Sequence, residues 1–257
     1  MVKINMKYLI PSKGRSGIIS NTISILGEKN CLVYVHESEY NDYVKTIPKK
    51  ILKTHNVKGI GAIRKFMYND QKSEKRDYIF QIDDDVSGLE YKWMDKMTII
   101  VDSNHIRSIM DNMYMVANDI GTPLFSVAAG VGPKLYTQLT LCFFSGFVNF
   151  LGAGIIPRLM GDIDFDTRFT VMHEDHDLTL QVKYHKRYVF IDARYSIRVT
   201  ERLDKKYGGG LSTIRNTVEH EKCHNLLKLK YGNIIQENNK EKYMSKDAHR
   251  LRLVSRF

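Results

Sequence analysis

Residues 78–86, Tyr-Ile-Phe-Gln-Ile-Asp-Asp-Asp-Val, decide how this chain is read. Five residues suited to a buried strand run straight into three adjacent carboxylates. At ~4 Å two such charges repel by about 1 kcal/mol in water and by about 4 kcal/mol at an effective dielectric near 20. Alternation along an extended strand sets Asp83 and Asp85 on one face, where they can share a hard cation such as Mg²⁺ or Mn²⁺ that also holds phosphate oxygens. The block therefore reads as a metal-diphosphate site; its plain alternative is a solvated acidic loop at a strand end.

Outward from this block, the first half of the chain alternates between two hydrophobic periods. A short strand, Tyr8 to Ile10, leads through Pro-Ser-Lys-Gly-Arg into a helix with Ile19, Ile23 and Leu26 on one face, stopped by Gly27. A strand over Cys31 to Val35 precedes a helix near 38–47. A third strand, near 51–54, leads to Gly59-Ile-Gly-Ala-Ile-Arg64 and a helix reaching about Asn69. This rhythm predicts a mostly parallel sheet with helices on both faces, and such sheets bind ligands at the carboxyl ends of their strands. The aspartates and the Ser-Lys-Gly-Arg turn both fall at such ends.

The second half opens with a helix near 104–120, carrying Ile106, Ile109, Met113, Val116 and Ile120 on one stripe. Strands are expected near 124–130, 139–144 and 147–151, followed by Gly152-Ala-Gly154 and Arg158. Residues 135–156 are uncharged, but Gln138, Ser145, Asn149 and three glycines mark core strands and a turn rather than a membrane span. His173-Glu-Asp-His-Asp177 then opens an amphipathic helix before a strand over Tyr188 to Ile191. Acidic residues suit the positive end of a helix, and a carboxylate placed there can equally serve as a general base.

The 257 residues carry a net charge of +10, and residues 201–257 hold 13 Lys and Arg against 7 Asp and Glu. A basic end of this kind suits a polyanionic partner, or else a solubilising surface. Cys31, Cys142 and Cys223 leave an odd thiol in any pairing and show no CxxC spacing, which points to a reducing, cytoplasmic setting. The first residues lack the pattern of a secretory signal. His220-Glu-Lys-Cys-His224 matches the H-E-x-x-H zinc motif, but no third ligand follows at a familiar spacing, and an exposed helix explains it better.

Taken in order, these pieces resemble the GT-A nucleotide-sugar glycosyltransferases over roughly residues 7–200. Ile10-Pro-Ser-Lys-Gly-Arg15 is similar to the nucleotide-binding turn, Gly59 to Arg64 to the small-residue segment ending in Arg, and Asp83-Asp-Asp85 to the DxD motif. Gly152-Ala-Gly154 with Arg158 resembles the segment near the donor sugar, and Glu174-Asp175 the xED motif. The resemblance implies an α/β GT-A fold and a UDP-sugar donor with Mn²⁺ or Mg²⁺. It implies that Asp85 binds the metal, that Asp83 and Asp84 meet sugar and ribose, and that Pro11, Ser12, Arg15, Arg64, Gly152 and Ala153 line the donor. Asp175, with Glu174 beside it, would be the base of an inverting reaction. A histidine ligand downstream of xED is common in that family, and His220 and His224 are weak matches.

Within that family the chain is most similar to phage-type, TET-associated glycosyltransferases, which implies 5-hydroxymethylpyrimidine in DNA as acceptor. DNA would then follow the basic end, including Lys228, Lys230, Arg250 and Arg252. The expected organisation is a catalytic domain over 1–205, with donor half 1–100 and acceptor half 101–205, and a basic section over 206–257 whose Gly208-Gly-Gly210 forms a lid. Two alternatives stay open: transfer to a polysaccharide or other non-DNA acceptor, and a non-catalytic nucleic-acid-binding module.

Overall fold

Among the described residues ten strands pair in one open central sheet, flanked by helices on both faces. The computed structural model describes residues 4–93, 96–128, 142–143, 146–200, 217–237 and 251–253. The strands are β1 Met6–Ser12, β2 Cys31–His36, β3 Leu52–His55, β4 Tyr78–Ile82, β5 Val86–Trp93, β6 Lys96–Ile100, β7 Leu124–Ala128, β8 Cys142–Phe143, β9 Gly152–Ile155 and β10 Phe190–Val199. The helices are α1 Ile19–Leu26, the single turn α2 Tyr40–Tyr43, α3 Ile60–Lys72, α4 Ser103–Asp119, α5 Glu174–Lys186 and α6 Thr217–Tyr231. A separate ribbon pairs β11 Ile235–Glu237 with β12 Leu251–Leu253.

Sheet order is β3-β2-β1-β4-β9-β7-β10-β5-β6, with β8 pairing β10. The β3-β2-β1-β4 half is parallel, as the alternating strand-helix pattern predicts. Beyond β4 the sheet is mixed, because β9 runs antiparallel to both neighbours and β5-β6 form an antiparallel hairpin. From β1 the chain winds outward through β2 and β3, then returns to lay β4 on the other side of β1. The crevice between β1 and β4 is therefore the switch point where such sheets bind ligands.

Alternation along β1 explains the three layers. Tyr8 and Ile10 point into the cluster built by Ile19, Ile23 and Leu26 of α1 and by Ile106, Met110 and Met113 of α4. Leu9 points into the opposite cluster, with Met67 of α3 and Leu178 and Val182 of α5. At about 25 cal/mol per Å² of apolar surface, each such buried side chain contributes about 1.5–3 kcal/mol. A third cluster, of Phe169, Val171, Leu180, Cys223, Leu227 and Ile235, docks α6 on the rest. The helix expected near 38–47 shrinks to α2, and the strand expected near 147–151 is instead β9, over the Gly-Ala-Gly segment. Gly154 sits there because a Cβ would lie 2.0 Å from the Phe125 ring.

Candidate active site

The three aspartates follow β4 in the tight turn that leads into β5, so they are not the extended strand that simple alternation assumes. Two arginines divide them. Arg15, delivered by the turn after β1, places Nη1 2.5 Å from Asp84 Oδ1 and 3.2 Å from Asp85 Oδ2. Ser12 donates to Asp84 Oδ2 at 2.6 Å and shares a 2.7 Å contact with the Tyr43 hydroxyl, which also accepts the Arg15 backbone N–H. Thr22 of α1 donates to the carbonyl oxygens of Asp84 and Val86, fixing the turn from below. Tyr43 and Thr22 were not legible as site residues, since nothing in their spacing marks them.

Asp85 is the under-satisfied member. Its Oδ1 is buried without a hydrogen-bond partner. Burial first, then the charges of Asp83 and Asp84, push its proton affinity up to about 6. Burial also raises Asp84, against the opposing pull of Arg15 and Ser12. A buried carboxylate oxygen left unpaired beside two further carboxylates suits a hard, oxygen-seeking cation. Among the described residues no group of three His, Cys, Asp or Glu side chains forms a ready-made cage.

Arg64 connects the acidic turn to α5. Its Nη2 reaches Asp83 Oδ1 at 3.1 Å and the Phe150 carbonyl at 3.3 Å, while Nε donates to Glu174 Oε1 at 3.2 Å. Gln81 accepts from Nη1 at 3.4 Å, and the guanidinium lies over the Phe150 ring at 4.7 Å. The position of Arg64 follows from the glycines before it. Gly59 has φ +90°, and a Cβ on Gly61 would lie 2.6 Å from the Asp166 carbonyl oxygen. Without that Cβ, the first amides of α3 reach the Thr170 and Phe169 carbonyls at 2.9 Å. Segment 166–170 thus caps α3, and Arg64, one turn on, faces Glu174.

Glu174 and Asp175 open α5, where the helix dipole favours carboxylates. Burial and the charge of Asp175 raise the proton affinity of Glu174, with Arg64 opposing. Burial would raise Asp175 as well, but His176 outweighs it and holds the carboxyl below its usual range. Before them stands His173, in a left-handed backbone at φ +70°, buried with both ring nitrogens unpartnered. Burial, with His176 adding to it, lowers its proton affinity to about 3, so the ring is neutral.

Other expected residues fall less directly. Gly152 and Ala153 lie in β9 opposite Ile82 and Gln81, and the Asp83 amide bonds to the neighbouring Leu151 carbonyl at 3.3 Å. They border the acidic turn, but both are buried between strands. Pro11 lies in β1, beside Ser12. His220 and His224 sit on α6, with the His224 ring 5.8 Å from that of His173; no described contact joins either to Asp85. Lys230 is used inside the protein: its ammonium pairs with Asp166 at 3.0 Å and with fully buried Asp177. Gly208-Gly-Gly210 and Arg250 lie outside the described residues, as do most of 139–144.

A parallel half-sheet with an acidic turn at its switch point, joined by an arginine to a carboxylate-led helix, gathers these side chains where open α/β sheets bind their ligands. Residues 6–208 match the profile of the TET-associated glycosyltransferases, and the chain belongs to that family. No curated protein matches the chain. Among solved structures it is similar to a mannose-1-phosphate geranyltransferase from Thermus thermophilus, at 8% identity over 76% of each chain with TM-score 0.48. It is also similar to a protein described as a nucleotide-diphospho-sugar transferase from Desulfovibrio desulfuricans, at 9% identity over 88% of this chain and 97% of that one, TM-score 0.41. A cytidylyltransferase from Leptospira borgpetersenii serovar Hardjo-bovis shares 12% identity over 96% and 91%, TM-score 0.41. No helix among the described residues is long and apolar enough to cross a membrane.

Proposed function

We propose that this glycosyltransferase moves a sugar from a UDP-sugar to the hydroxyl of a 5-hydroxymethylpyrimidine in DNA, with inversion and with Mn²⁺ or Mg²⁺ bound at the acidic turn. The observation that carries the metal dependence is the buried, unpartnered Oδ1 of Asp85. Asp85 is the direct ligand, with Asp83 at the same turn facing sugar or ribose. A divalent ion there supplies charge neutralisation for the departing diphosphate. Arg15 and Ser12 hold Asp84 in place, which fixes the turn before donor binds. Arg64 ties the turn to Glu174, so that the base at the head of α5 keeps a constant offset from the donor. Asp175 and its bonded neighbour His176 are the proton-accepting group for the acceptor hydroxyl.

The DNA acceptor draws support from the family and from the net charge of +10. A duplex needs several Lys and Arg at its phosphates, and a base within it must leave the stack to reach the donor. Lys230 is engaged by its own carboxylates, so the phosphate contacts are assigned to the basic residues after 237, Arg250 and Arg252 among them. The test is incubation with Mn²⁺, a panel of UDP-sugars and duplex DNA containing 5-hydroxymethylcytosine, followed by mass spectrometry of the nucleosides. A hexose or pentose adduct on hydroxymethylcytosine supports the proposal. Donor turnover with a polysaccharide acceptor and none with DNA overturns the acceptor assignment, and equal turnover in excess EDTA overturns the metal.

A further inference from the structure

Asp175 and His176 are neighbours on the first turn of α5, and they are bonded to one another. Asp175 Oδ1 accepts the His176 backbone N–H at 2.7 Å and lies 2.8 Å from His176 Nδ1. An ionised carboxylate can only accept, so Nδ1 carries the proton of this contact, and in the neutral ring Nε2 is then a bare lone pair. Among the described residues Nε2 makes no hydrogen bond, yet it is not one of the unpartnered atoms sealed from solvent. The imidazole is also the more open of the two side chains, 27% exposed against 18% for Asp175. Phe147 packs on the ring at 4.4 Å, and His173 meets it edge-on at 5.1 Å, so its plane is held from two sides.

We propose that His176 Nε2, rather than the Asp175 carboxylate, takes the proton from the acceptor hydroxyl, with Asp175 fixing the ring tautomer and stabilising the imidazolium that forms. This rests on the glycosyl-transfer reading above and names the atom that performs its proton transfer. As the acceptor O–H bond breaks, the proton passes to Nε2. The oxygen forms its bond to the anomeric carbon, and the carbon–phosphate oxygen bond breaks with its electron pair leaving on the nucleoside diphosphate. The imidazolium then returns its proton to solvent. A carboxylate holding a histidine so that the far nitrogen is the base is the logic of the hydrolase triads.

Proton affinity favours the ring. Burial alone would lower that of His176, but Asp175 outweighs it and holds the imidazole above its usual 6.5; Asp175 itself sits below 3.8. The ring is then the stronger proton acceptor of the two, and a base works best with a pKa near the working pH. Among the described residues, the charged and titratable groups around the pair are Glu174 on the same helix, with Arg64 of α3 behind it, His173 before the helix, His220 and His224 of α6 beyond His173, and Lys183 over the Phe147 ring. The neutral His173 adds no charge, and Asp175, with Glu174 after it, raises the ring.

The test uses the full chain with Mn²⁺, UDP-glucose and a hydroxymethylcytosine duplex. His176→Asn keeps a donor near the Nδ1 position but has no second nitrogen. We expect its kcat to fall at least ~10²-fold with the KM for UDP-glucose nearly unchanged. In the wild type, kcat/KM should have an acid limb above pH 6.5, moved downward by Asp175→Asn and absent in His176→Asn. The ¹⁵N spectrum of the His176 ring should show Nδ1 protonated and Nε2 bare, titrating above 6.5. A His176→Asn enzyme within about threefold of wild type with the same acid limb overturns the proposal, as does a ring protonated on Nε2 when neutral. If the wild type transfers no glucose, the acceptor or donor reading fails, while the ring spectrum still decides the pair.

Discussion

Replacing Arg64 by methionine should expose how much of the site is held by one guanidinium. The side chain is 4% exposed and serves Asp83, Glu174, Gln81 and the Phe150 carbonyl at 3.1–3.4 Å. Methionine keeps most of the apolar stem, so packing loss is minor. What remains is the charge of Glu174, buried at 8% exposure with its partner gone. Breaking a buried pair from one side costs about 3–5 kcal/mol, or roughly 6–20 °C of Tm in a domain of this size. Glu174 can escape by taking up a proton, and the sign follows from that. Its folded-state proton affinity is raised, so the associated stability is present below the unfolded pKa of about 4.5 and lost as pH rises through the folded value. The Arg64→Met deficit should accordingly be larger at pH 8 than at pH 6. Adding Glu174→Gln should restore about 2–3 kcal/mol at pH 8, because a neutral amide costs less to bury than a charge. Urea unfolding of the four proteins of this cycle at both pH values gives the numbers. A single-mutant cost below about 1 kcal/mol, or a double mutant no more stable than Arg64→Met at pH 8, refutes the reasoning.

Two further outcomes are expected. Asp85→Asn removes a carboxyl whose proton affinity is raised to about 6, a group whose stability is present at low pH and lost as pH rises through that value. The metal-free variant should therefore melt no lower than wild type at pH 8, while calorimetry with UDP shows Mn²⁺-dependent binding in the wild type alone. His173 has the opposite sign: its affinity is lowered to about 3, so its stability is complete above 6.5 and lost as pH falls toward 3. His173→Asn, which tolerates the left-handed backbone, should flatten the urea-midpoint profile below pH 6 by up to about 1.4 kcal/mol per pH unit. Parallel profiles for the two proteins would show that the ring does not set the acid response.

Much of the first hundred residues was legible because their elements obey one period each. Ile19, Ile23 and Leu26 face inward as read, and Gly27 ends the helix with φ +80°. The acidic turn and the Glu-Asp pair were visible as chemistry, since carboxylates at strand and helix ends need a reason. What escaped were features decided across the sheet or along distant sequence. Glycines in β9 look like a loop until the Phe125 ring is seen to occupy the space of a Cβ at 154. Val86–Trp93 mixes glycine, glutamate and lysine, so its pairing with β6 and β10 leaves no clean alternation. Lys230 reads as one more charge in a basic tail, yet Asp177, far back along the chain, claims it. The Asp175–His176 bond hides for the opposite reason: adjacent residues on a helix rarely face each other.

The division of the carboxylates between two arginines bears on how the site works before any ligand arrives. Asp83, Asp84, Asp85 and Glu174 can carry four negative charges, and Arg15 and Arg64 return two. If all four ionise, the shortfall is two, the charge of one divalent ion. The shortfall is not spread evenly. Asp84 is satisfied by Arg15 and Ser12, and Glu174 by Arg64, whereas Asp85 keeps a bare oxygen and Asp83 keeps a third of its side chain in solvent. The two carboxylates left wanting are those of the DxD spacing, and the two satisfied ones are those that brace the turn and the helix. Arg64 holds Asp83 and Glu174 at a fixed separation, and moving it would strand a buried glutamate. Arg15 is braced in the same way, because moving it would strand Asp84, which is buried at 5% exposure.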